Sequence, residues 1–237
     1  LLQLGCPEER IHSTGSIKFD VAIGERCTEE ARNALREDLG FRARDKKVFI
    51  LLGSSTWAGE ESALLEAQRA VMATGIDCRL LLVPRHVERA PEVLKLLKAQ
   101  ELPWYQRSTG DIVPENLAIH LADTTGELAH LSQIADLAFI GKSLVPNEGG
   151  QTPIEAAGLG VPVLMGSKMN NFKDVAKSLI RAGAAMTVEH ADELRSEVLK
   201  LAKDQSSLVN MQQAGLEWHK RNSGSSQRIA EQILKSL

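Results

Sequence analysis

An uninterrupted apolar run, VFILLGSS at positions 48 to 55, constrains the fold more than any other stretch of the chain. It ends in glycine and serine, as is typical of a strand that is buried on both faces. Similar runs recur, separated by segments with helical periodicity. The predicted strands cover 48–55, 78–86, 103–107, 116–123, 137–141, 162–166 and 184–188, and the predicted helices cover 28–39, 60–73, 91–100, 126–135, 152–159 and 171–182.

Strict alternation of apolar strands with helices predicts an α/β fold, a Rossmann-like parallel sheet with helices on both faces. The segment 191–237 is predicted to be entirely helical. Residues 1–20 are interrupted by Gly and Pro, and we expect them to form a connector, with STGSIKFD (13–20) as a possible edge strand. The predicted domain is then 21–237.

Composition excludes several classes of protein. The 237 residues carry a net charge of −3 with dispersed Lys and Arg, which disfavours binding to nucleic acid or to an anionic membrane surface. Cys6, Cys27 and Cys78 lack the spacing of a zinc site or a disulfide framework, and no two histidines have metal-ligand spacing. No apolar run is long enough to span a membrane.

Three common motifs of α/β enzymes are absent from the sequence: the GxGxxG dinucleotide fingerprint, the GxxxxGK[ST] phosphate loop and the GxSxG nucleophile elbow. Rossmann dehydrogenases, P-loop ATPases and α/β-hydrolases are therefore disfavoured.

The segments that follow the predicted strands are polar and rich in glycine. In an open α/β sheet, ligands bind beyond the carboxyl ends of the strands, so these segments predict a binding site at that edge. They are 53–61, 84–86, 123–128, 141–155 and 166–172.

Each candidate in these segments also has a structural explanation. Ser55 and Thr56 either bind phosphate or begin the next helix, and Arg85 either pairs with a phosphate or carboxylate or lies solvated at the rim. Asp123 and Gly126 are explained equally well by a ligand or by turn chemistry.

The stretch GGQTPIEAAGLGVPVLM (149–165) reads as a loop, a short helix and a buried strand. Gly149 and Gly150 can adopt backbone angles that are closed to other residues. Thr152 is a good N-cap, so we expect a helix from Thr152 whose first-turn N–H groups and dipole favour an anion. Glu155 either completes a capping box with Thr152 or meets a sugar hydroxyl.

Several motifs, in order, are similar to those of the bacterial 3-deoxy-D-manno-octulosonic acid (Kdo) transferases, which transfer Kdo from CMP-Kdo to lipid A precursors. The chain resembles the C-terminal half of these enzymes. The motifs are STGSIKFD (13–20), STWAGEE (55–61), LLLVPRHVER (80–89), DTTGELAHL (123–131), ADLAFIGKSLVPNEGGQTPIEAAGLGVPVLMG (135–166) and NNFKDV (170–175).

The resemblance implies a GT-B glycosyltransferase, of which this chain is the half that binds the donor. It implies that Pro84 and Arg85 lie near the cytosine or the charged groups of the donor, and that the turn at Gly126 and Glu127 lies near the base and ribose. It implies that Glu155 binds the ribose hydroxyls. The donor-binding residues expected are Ser55, Thr56, Pro84, Arg85, Thr125, Gly126, Glu127, Gly149, Gly150, Gln151, Thr152 and Glu155.

The chain departs from the family pattern at three places. The family usually has histidine at Trp57, methionine at Thr125, and a His-Asn pair at Gln151 and Thr152. These departures leave the expected fold unchanged and bear on donor preference and activity.

The resemblance also implies where the chemistry takes place. The catalytic base is a glutamate of an N-terminal half, which also carries the acceptor site for the lipid A precursor and a membrane anchor. We therefore expect no catalytic residue in this chain, no cofactor, no required metal, and inversion at the anomeric carbon. The full-length enzyme is expected at the cytoplasmic face of the bacterial inner membrane. The alternatives are a GT-B transferase that uses a UDP-sugar and a non-catalytic module that binds sugar nucleotides.

Overall fold

In a computed structural model, residues 1–20, 23, 26–42 and 48–236 are described. They contain a sheet in which every pair of neighbouring strands is parallel, in the order β3-β4-β2-β1-β5-β6-β7. The strands are β1 Val48–Thr56, β2 Asp77–Pro84, β3 Trp104–Gln106, β4 Ile119–Leu121, β5 Leu137–Ile140, β6 Val163–Gly166 and β7 Ala185–Val188.

Helices connect these strands and cover the sheet. They are α1 Glu29–Asp38, α2 Glu60–Met72, α3 Ala90–Lys98, α4 Leu128–Ser132, α5 Ile154–Gly158, α6 Lys173–Ala182, α7 Ala191–Lys203, α8 Gln205–Asn222 and α9 Ser225–Ser236. The predicted α/β fold and the helical C-terminal segment are confirmed. The ends of the elements differ from the predictions: α4 and α5 are five residues each, shorter than the apolar periodicity indicated.

The core consists of two apolar layers, one on each face of the sheet. Successive residues of β1 alternate between them: Ile50 and Leu52 pack with α5, α6 and α8, whereas Phe49 and Leu51 pack with α2, α3 and α7. This alternation follows from the two-residue period of a strand. A strand with both faces buried needs apolar side chains throughout, which explains the continuous run in the sequence.

The N-terminal segment contains short 3₁₀ turns, and the edge strand expected within 13–20 is wrong. Residues Ile17–Phe19 form a 3₁₀ turn, in which the N–H of Lys18 donates to the hydroxyl of Ser16 rather than to a neighbouring strand. The segment packs on the C-terminal helices, because the Phe19 ring meets that of Trp218 edge to face at 5.4 Å. That residues 1–20 are a connector stays a prediction.

Asp20 ties the same segment to the start of α9. Its carboxylate accepts hydrogen bonds from the N–H groups of Gly224 at 2.6 Å and Ser225 at 3.1 Å. Hydrogen bonds from Ser226 contribute most to lowering the pKa of Asp20 to about 2. A carboxylate at a helix N-terminus satisfies N–H groups that have no partner within the helix, so the two ends of the chain are joined.

Among the described residues the cysteines are unpaired, and the histidine at the centre of the sheet is part of the core. Cys6, Cys27 and Cys78 are free thiols. His120 is fully buried in β4, where its Nδ1 lies 3.0 Å from the carbonyl oxygen of Leu39. Burial lowers the pKa of His120 to about 4, so the ring is neutral at pH 7.

Candidate functional site at the carboxyl edge of the sheet

The strand order reverses between β1 and β5. From β1 the chain proceeds through β2 toward one edge of the sheet, and from β5 it proceeds through β6 and β7 toward the other. The crevice beyond the carboxyl ends of β1 and β5 is therefore the topological switch point, where open α/β sheets bind ligands. The segment after β1 begins at Trp57, and the segment after β5 begins at Gly141.

These two segments touch closely. The N–H of Gly141 donates to the carbonyl oxygen of Ser54 at 2.8 Å, and a Cβ at Gly141 would overlap the carbonyl of Ser55. Ser55 occupies a β-bulge with a φ of 54°, which is unusual for a residue with a side chain. A residue without a Cβ at 141 is thus required for the approach.

Glu60, at the start of α2, holds both segments through their backbones. Its Oε2 accepts the N–H groups of Trp57 at 2.8 Å and Lys142 at 2.9 Å. Its Oε1 accepts those of Ser143 at 2.9 Å and Leu144 at 3.1 Å. One carboxylate therefore satisfies four N–H groups from two loops that are more than 80 residues apart.

The Glu60 carboxylate is structural rather than a ligand-facing group. The residue is 1% exposed. Burial raises the pKa of the Glu60 carboxyl above its usual value, whereas the four N–H donors act in the opposite direction by stabilising the charged form. From the sequence, Glu60 is expected only as the first residue of the helix predicted over 60–73, and this role is not predicted.

Three side chains cluster where β1, β2 and β5 end. The Nζ of Lys142 lies 4.4 Å from the centre of the Trp57 ring, within the range of a cation–π contact. The ring of His86 meets the same indole edge to face at 5.3 Å. Lys142 and Trp57 were not among the predicted binding residues; the sequence signal for Lys142 was its position directly after a strand and beside Gly141.

The glycine loop is shaped by backbone bonds within the protein. The N–H groups of Gly149, Gly150 and Gln151 donate to the carbonyl oxygens of Lys168, Lys142 and Gly141, at 2.9, 2.8 and 3.0 Å. These N–H groups are therefore occupied and do not form a free anion cradle. Both glycines have a positive φ, 112° for Gly149 and 73° for Gly150, as the sequence analysis predicted.

The following helix begins two residues later than predicted. Its first residue is Ile154, and Thr152 precedes it, accepting the N–H of Ile154 at its hydroxyl oxygen at 3.3 Å. The reciprocal capping-box bond, in which the Glu155 carboxylate would accept the N–H of Thr152, is absent: within the described residues, the half-buried Glu155 carboxylate has no hydrogen-bond or ion-pair partner. Glu155 therefore remains available for a ligand.

The predicted residues after β1 and β2 differ in accessibility. Thr56 is fully buried as the last residue of β1, and its hydroxyl has no partner within the described chain. Neither Ser55 nor Thr56 begins α2, which is preceded by Gly59. Pro84 ends β2 and is buried, whereas Arg85 is exposed at the rim. Of these four, Arg85 is exposed, Ser55 is half-buried, and Thr56 and Pro84 are buried.

The turn after β4 contains the exposed Thr125 and Gly126, followed by Glu127. Arg107 donates to both carboxylate oxygens of Glu127, at 2.6 and 2.9 Å, and this pair lowers the pKa of Glu127 to about 2. The hydroxyl of Thr124 donates to the same carboxylate. Glu127 is thus held by neighbouring side chains, and Arg107 is a partner that the sequence analysis missed.

Asp123 has a structural role. It is buried and accepts hydrogen bonds from the side chain of Gln106 at 2.7 Å and from the N–H of Ser108 at 2.9 Å. It therefore fixes the turn after β3, which supports the structural reading of this residue.

A cavity of about 600 Å³ lies at the opposite edge of the sheet. Its lining includes Val48, Asp136 and Pro162, which stand at or just before the amino ends of β1, β5 and β6. It contains none of the predicted binding residues. The open carboxyl edge, where five predicted loops converge, is the better candidate because parallel sheets bind ligands there.

Within the described residues, no three His, Cys, Asp or Glu side chains are grouped so as to hold a metal ion. No helix among these residues is both long and apolar enough to cross a bilayer.

The chain has sequence relatives among known proteins. The chain is 33% identical, over 96% of its length, to 3-deoxy-D-manno-octulosonic acid transferase from Haemophilus influenzae. It is also 33% identical, over 93% of its length, to the protein of the same name from Bordetella pertussis. The chain covers 52% and 50% of these proteins, about half the length of the relatives it matches. No family model matches the chain.

Solved structures share the fold. One is the C-terminal CMP-Kdo binding domain of WaaA from Acinetobacter baumannii. The superposition covers 80% of this chain and 96% of that domain, with a TM-score of 0.69 and 24% identity. Anabaena HepE in complex with UDP and glucose matches 89% of this chain and 53% of its own, with a TM-score of 0.59 and 16% identity. At these identities the likeness shows the architecture, a Rossmann-like domain of the GT-B type.

Proposed function

The chain is homologous to the Kdo transferases over about half of their length, and from this relationship we propose that it is the half of such an enzyme that binds the donor, CMP-Kdo. The observation that carries the proposal is the 33% identity that extends over 96% of the chain. The fold shared with a domain described as CMP-Kdo binding supports the same donor. The reaction of the whole protein is transfer of Kdo to a lipid A precursor in lipopolysaccharide biosynthesis.

The proposed donor site is the carboxyl edge of the sheet. Glu155 binds the ribose hydroxyls, since its carboxylate has no partner within the described chain and carboxylates accept hydrogen bonds from such groups. Arg85 stabilises the phosphate that departs as part of CMP, because a guanidinium donates two parallel hydrogen bonds to one phosphate group. Thr125 and Gly126 border the base and ribose, where the backbone permits close approach.

The remaining parts of the reaction belong to the other half of the cleft. We place the general base, a glutamate, and the acceptor site outside these 237 residues, along with the membrane attachment at the cytoplasmic face of the inner membrane. The proposal includes inversion at the anomeric carbon and no metal or cofactor. This chain alone should therefore bind donor and release no CMP when incubated with CMP-Kdo and lipid A precursor.

Calorimetric titration with CMP, UMP and ADP tests the assignment of the donor. We expect CMP to bind at least about tenfold more tightly than UMP or ADP, since a site built to hydrogen-bond one base leaves polar groups unpaired with another. Equal affinity for the three nucleotides, or tighter binding of UMP, would overturn the assignment. The second outcome would favour a transferase that uses a UDP-sugar. Repeating the titration with EDTA tests the absence of a metal requirement.

The role of Glu155 is tested by Glu155→Gln. We expect the affinity for CMP to fall about fivefold to twentyfold, because the charged acceptor of the ribose hydroxyls is lost. Affinity for 2′,3′-dideoxycytidine monophosphate should stay unchanged, since it lacks those hydroxyls. Thermal unfolding should be nearly that of the unsubstituted chain.

Thr152→Ala is the matched control for Glu155→Gln. It removes the acceptor of the Ile154 N–H and should lower the free energy of unfolding by about 1 kcal/mol. If Glu155→Gln instead destabilises the chain by a similar amount and binds both nucleotides as before, the capping role is correct and the ligand role is wrong.

A further inference from the structure

Lys142 and Trp57 are fixed to each other at the switch point. Their N–H groups share one oxygen of Glu60, at 2.9 and 2.8 Å, and Glu60 is buried. The two residues follow β5 and β1, which are adjacent parallel strands. Because one buried carboxylate accepts both backbone N–H groups, the fold fixes the backbones from which the two side chains extend.

The Lys142 ammonium lies on an aromatic surface and not on a carboxylate. Its Nζ is 4.4 Å from the centre of the Trp57 ring, and it has no acidic partner within the part of the chain that the structure describes. The φ of Lys142 is 58°, a conformation that residues with a side chain rarely adopt. A strained, half-buried cation without a counter-ion is typical of a functional position.

The side chain of Lys142 runs beside the glycine loop. Its Cε lies 3.7 Å from the point where a Cβ on Gly149 would stand, and its carbonyl oxygen accepts the N–H of Gly150 at 2.8 Å. The N–H groups of Gly149, Gly150 and Gln151 are occupied, so these three backbone donors are not free for a phosphate. The Lys142 side chain places a positive charge beside them.

We propose that Lys142 binds the phosphate of the donor nucleotide and that Trp57 is the positioning residue that holds the lysine side chain in place. This inference rests on the proposed function and adds a residue to its site. Stacking on the indole restricts the flexible four-carbon stem, so less conformational entropy is lost when the ammonium meets the phosphate. Trp57 also keeps the ammonium at the mouth of the crevice while no ligand is bound.

Titrations of CMP and cytidine into the chain and into Lys142→Met test the proposal. Methionine keeps roughly the length of the stem and the same backbone strain, and removes the ammonium group with its charge and its three donors. We expect the affinity for CMP to fall about tenfold or more, as for the loss of a charge-assisted hydrogen bond, while the affinity for cytidine is unchanged. Lys142→Arg should retain much of the preference for CMP over cytidine.

Trp57→Leu tests the positioning role. We expect a fall in CMP affinity of about twofold to fivefold, with cytidine unaffected, because the cation–π contact contributes modestly. In the Trp57→Leu, Lys142→Met double variant the loss should be no larger than in Lys142→Met alone, since Trp57 acts through the lysine. Lys203→Met, at the exposed end of α7, controls for the change in net charge and should bind CMP as before.

The outcomes separate this inference from the proposed function. If the unsubstituted chain prefers CMP over UMP and cytidine, but Lys142→Met binds CMP equally well, Lys142 does not bind the phosphate and the donor assignment stands. If Lys142→Met weakens CMP and cytidine equally, the lysine has a structural role only, and the inference is again overturned. If the unsubstituted chain shows no preference for CMP, the proposed function itself fails, and this inference fails with it.

Discussion

Replacing Glu60 with leucine should lower the free energy of unfolding by about 4 kcal/mol, because four backbone N–H groups lose their acceptor in a buried place. For a chain of this length, that loss corresponds to a fall in melting temperature of about 10 °C. Urea unfolding and calorimetry would measure both quantities. We also expect weaker CMP binding, since Trp57 and Lys142 are no longer held together.

Two variants control the Glu60 prediction. Glu60→Gln keeps one acceptor oxygen and places an amide against the other pair of N–H groups, so its stability should lie between those of the leucine variant and the unsubstituted chain. Glu66→Leu makes the same change at an exposed position of α2 and should change the stability by less than about 0.5 kcal/mol. A Glu60→Leu variant that melts like the unsubstituted chain would show that the four bonds are not important to the fold.

The fold could be predicted from the sequence because its main signal is local. A strand buried on both faces needs an apolar side chain at every position, and 48–55 displays this requirement directly. Alternation with helices then implies parallel strands. The prediction of an edge strand within 13–20 was wrong because its local signal was weak. The segment has the β-branched and aromatic residues of a strand, but contacts of Phe19 and Asp20 hold it against the C-terminal helices.

The candidate site could be predicted only where the property of a residue depends on its immediate sequence neighbours. Gly149 and Gly150 have the predicted positive φ, and the half-buried Glu155 carboxylate at the start of its helix has no partner among the described residues. The contribution of Glu60 depends on β1 and β5 being neighbours, which the sequence alone does not reveal. Its partner Lys142 is 82 positions away, so no spacing rule connects the two.

Hydroxyl and acidic residues illustrate the same limit. Thr56 follows the apolar run and resembles a loop residue, but β1 continues through it and buries it. Glu127 matches a family motif, yet both of its carboxylate oxygens accept hydrogen bonds from Arg107, a residue 20 positions earlier. Motifs therefore locate a residue at the correct edge of the sheet, whereas its availability for a ligand depends on contacts made through the tertiary fold.

Replacing Arg89 with methionine should lower the free energy of unfolding by about 4 kcal/mol. Arg89 donates to both oxygens of Glu61, at 2.7 and 3.1 Å, and to the carbonyl oxygen of Thr56 at 3.2 Å. The Glu61 side chain is 1% exposed, so the substitution leaves a buried carboxylate without a cation, a change that costs several kcal/mol. The ion pair also raises the pKa of Arg89 above its usual value. Urea unfolding at pH 7 is the measurement.

A second substitution, at Glu61, distinguishes the cost of an unpaired buried carboxylate from the cost of the packing lost at Arg89. In the Arg89→Met, Glu61→Leu double variant no buried charge remains, and a buried ion pair replaced by apolar groups is often nearly neutral. Most of the lost stability should therefore return. Glu92→Ala, which removes only the exposed partner of Arg89, should cost less than about 0.5 kcal/mol. If the double variant is as unstable as Arg89→Met, the bonds to the end of β1 matter more than the ion pair, and the loss arises from the release of Thr56 at the rim of the site.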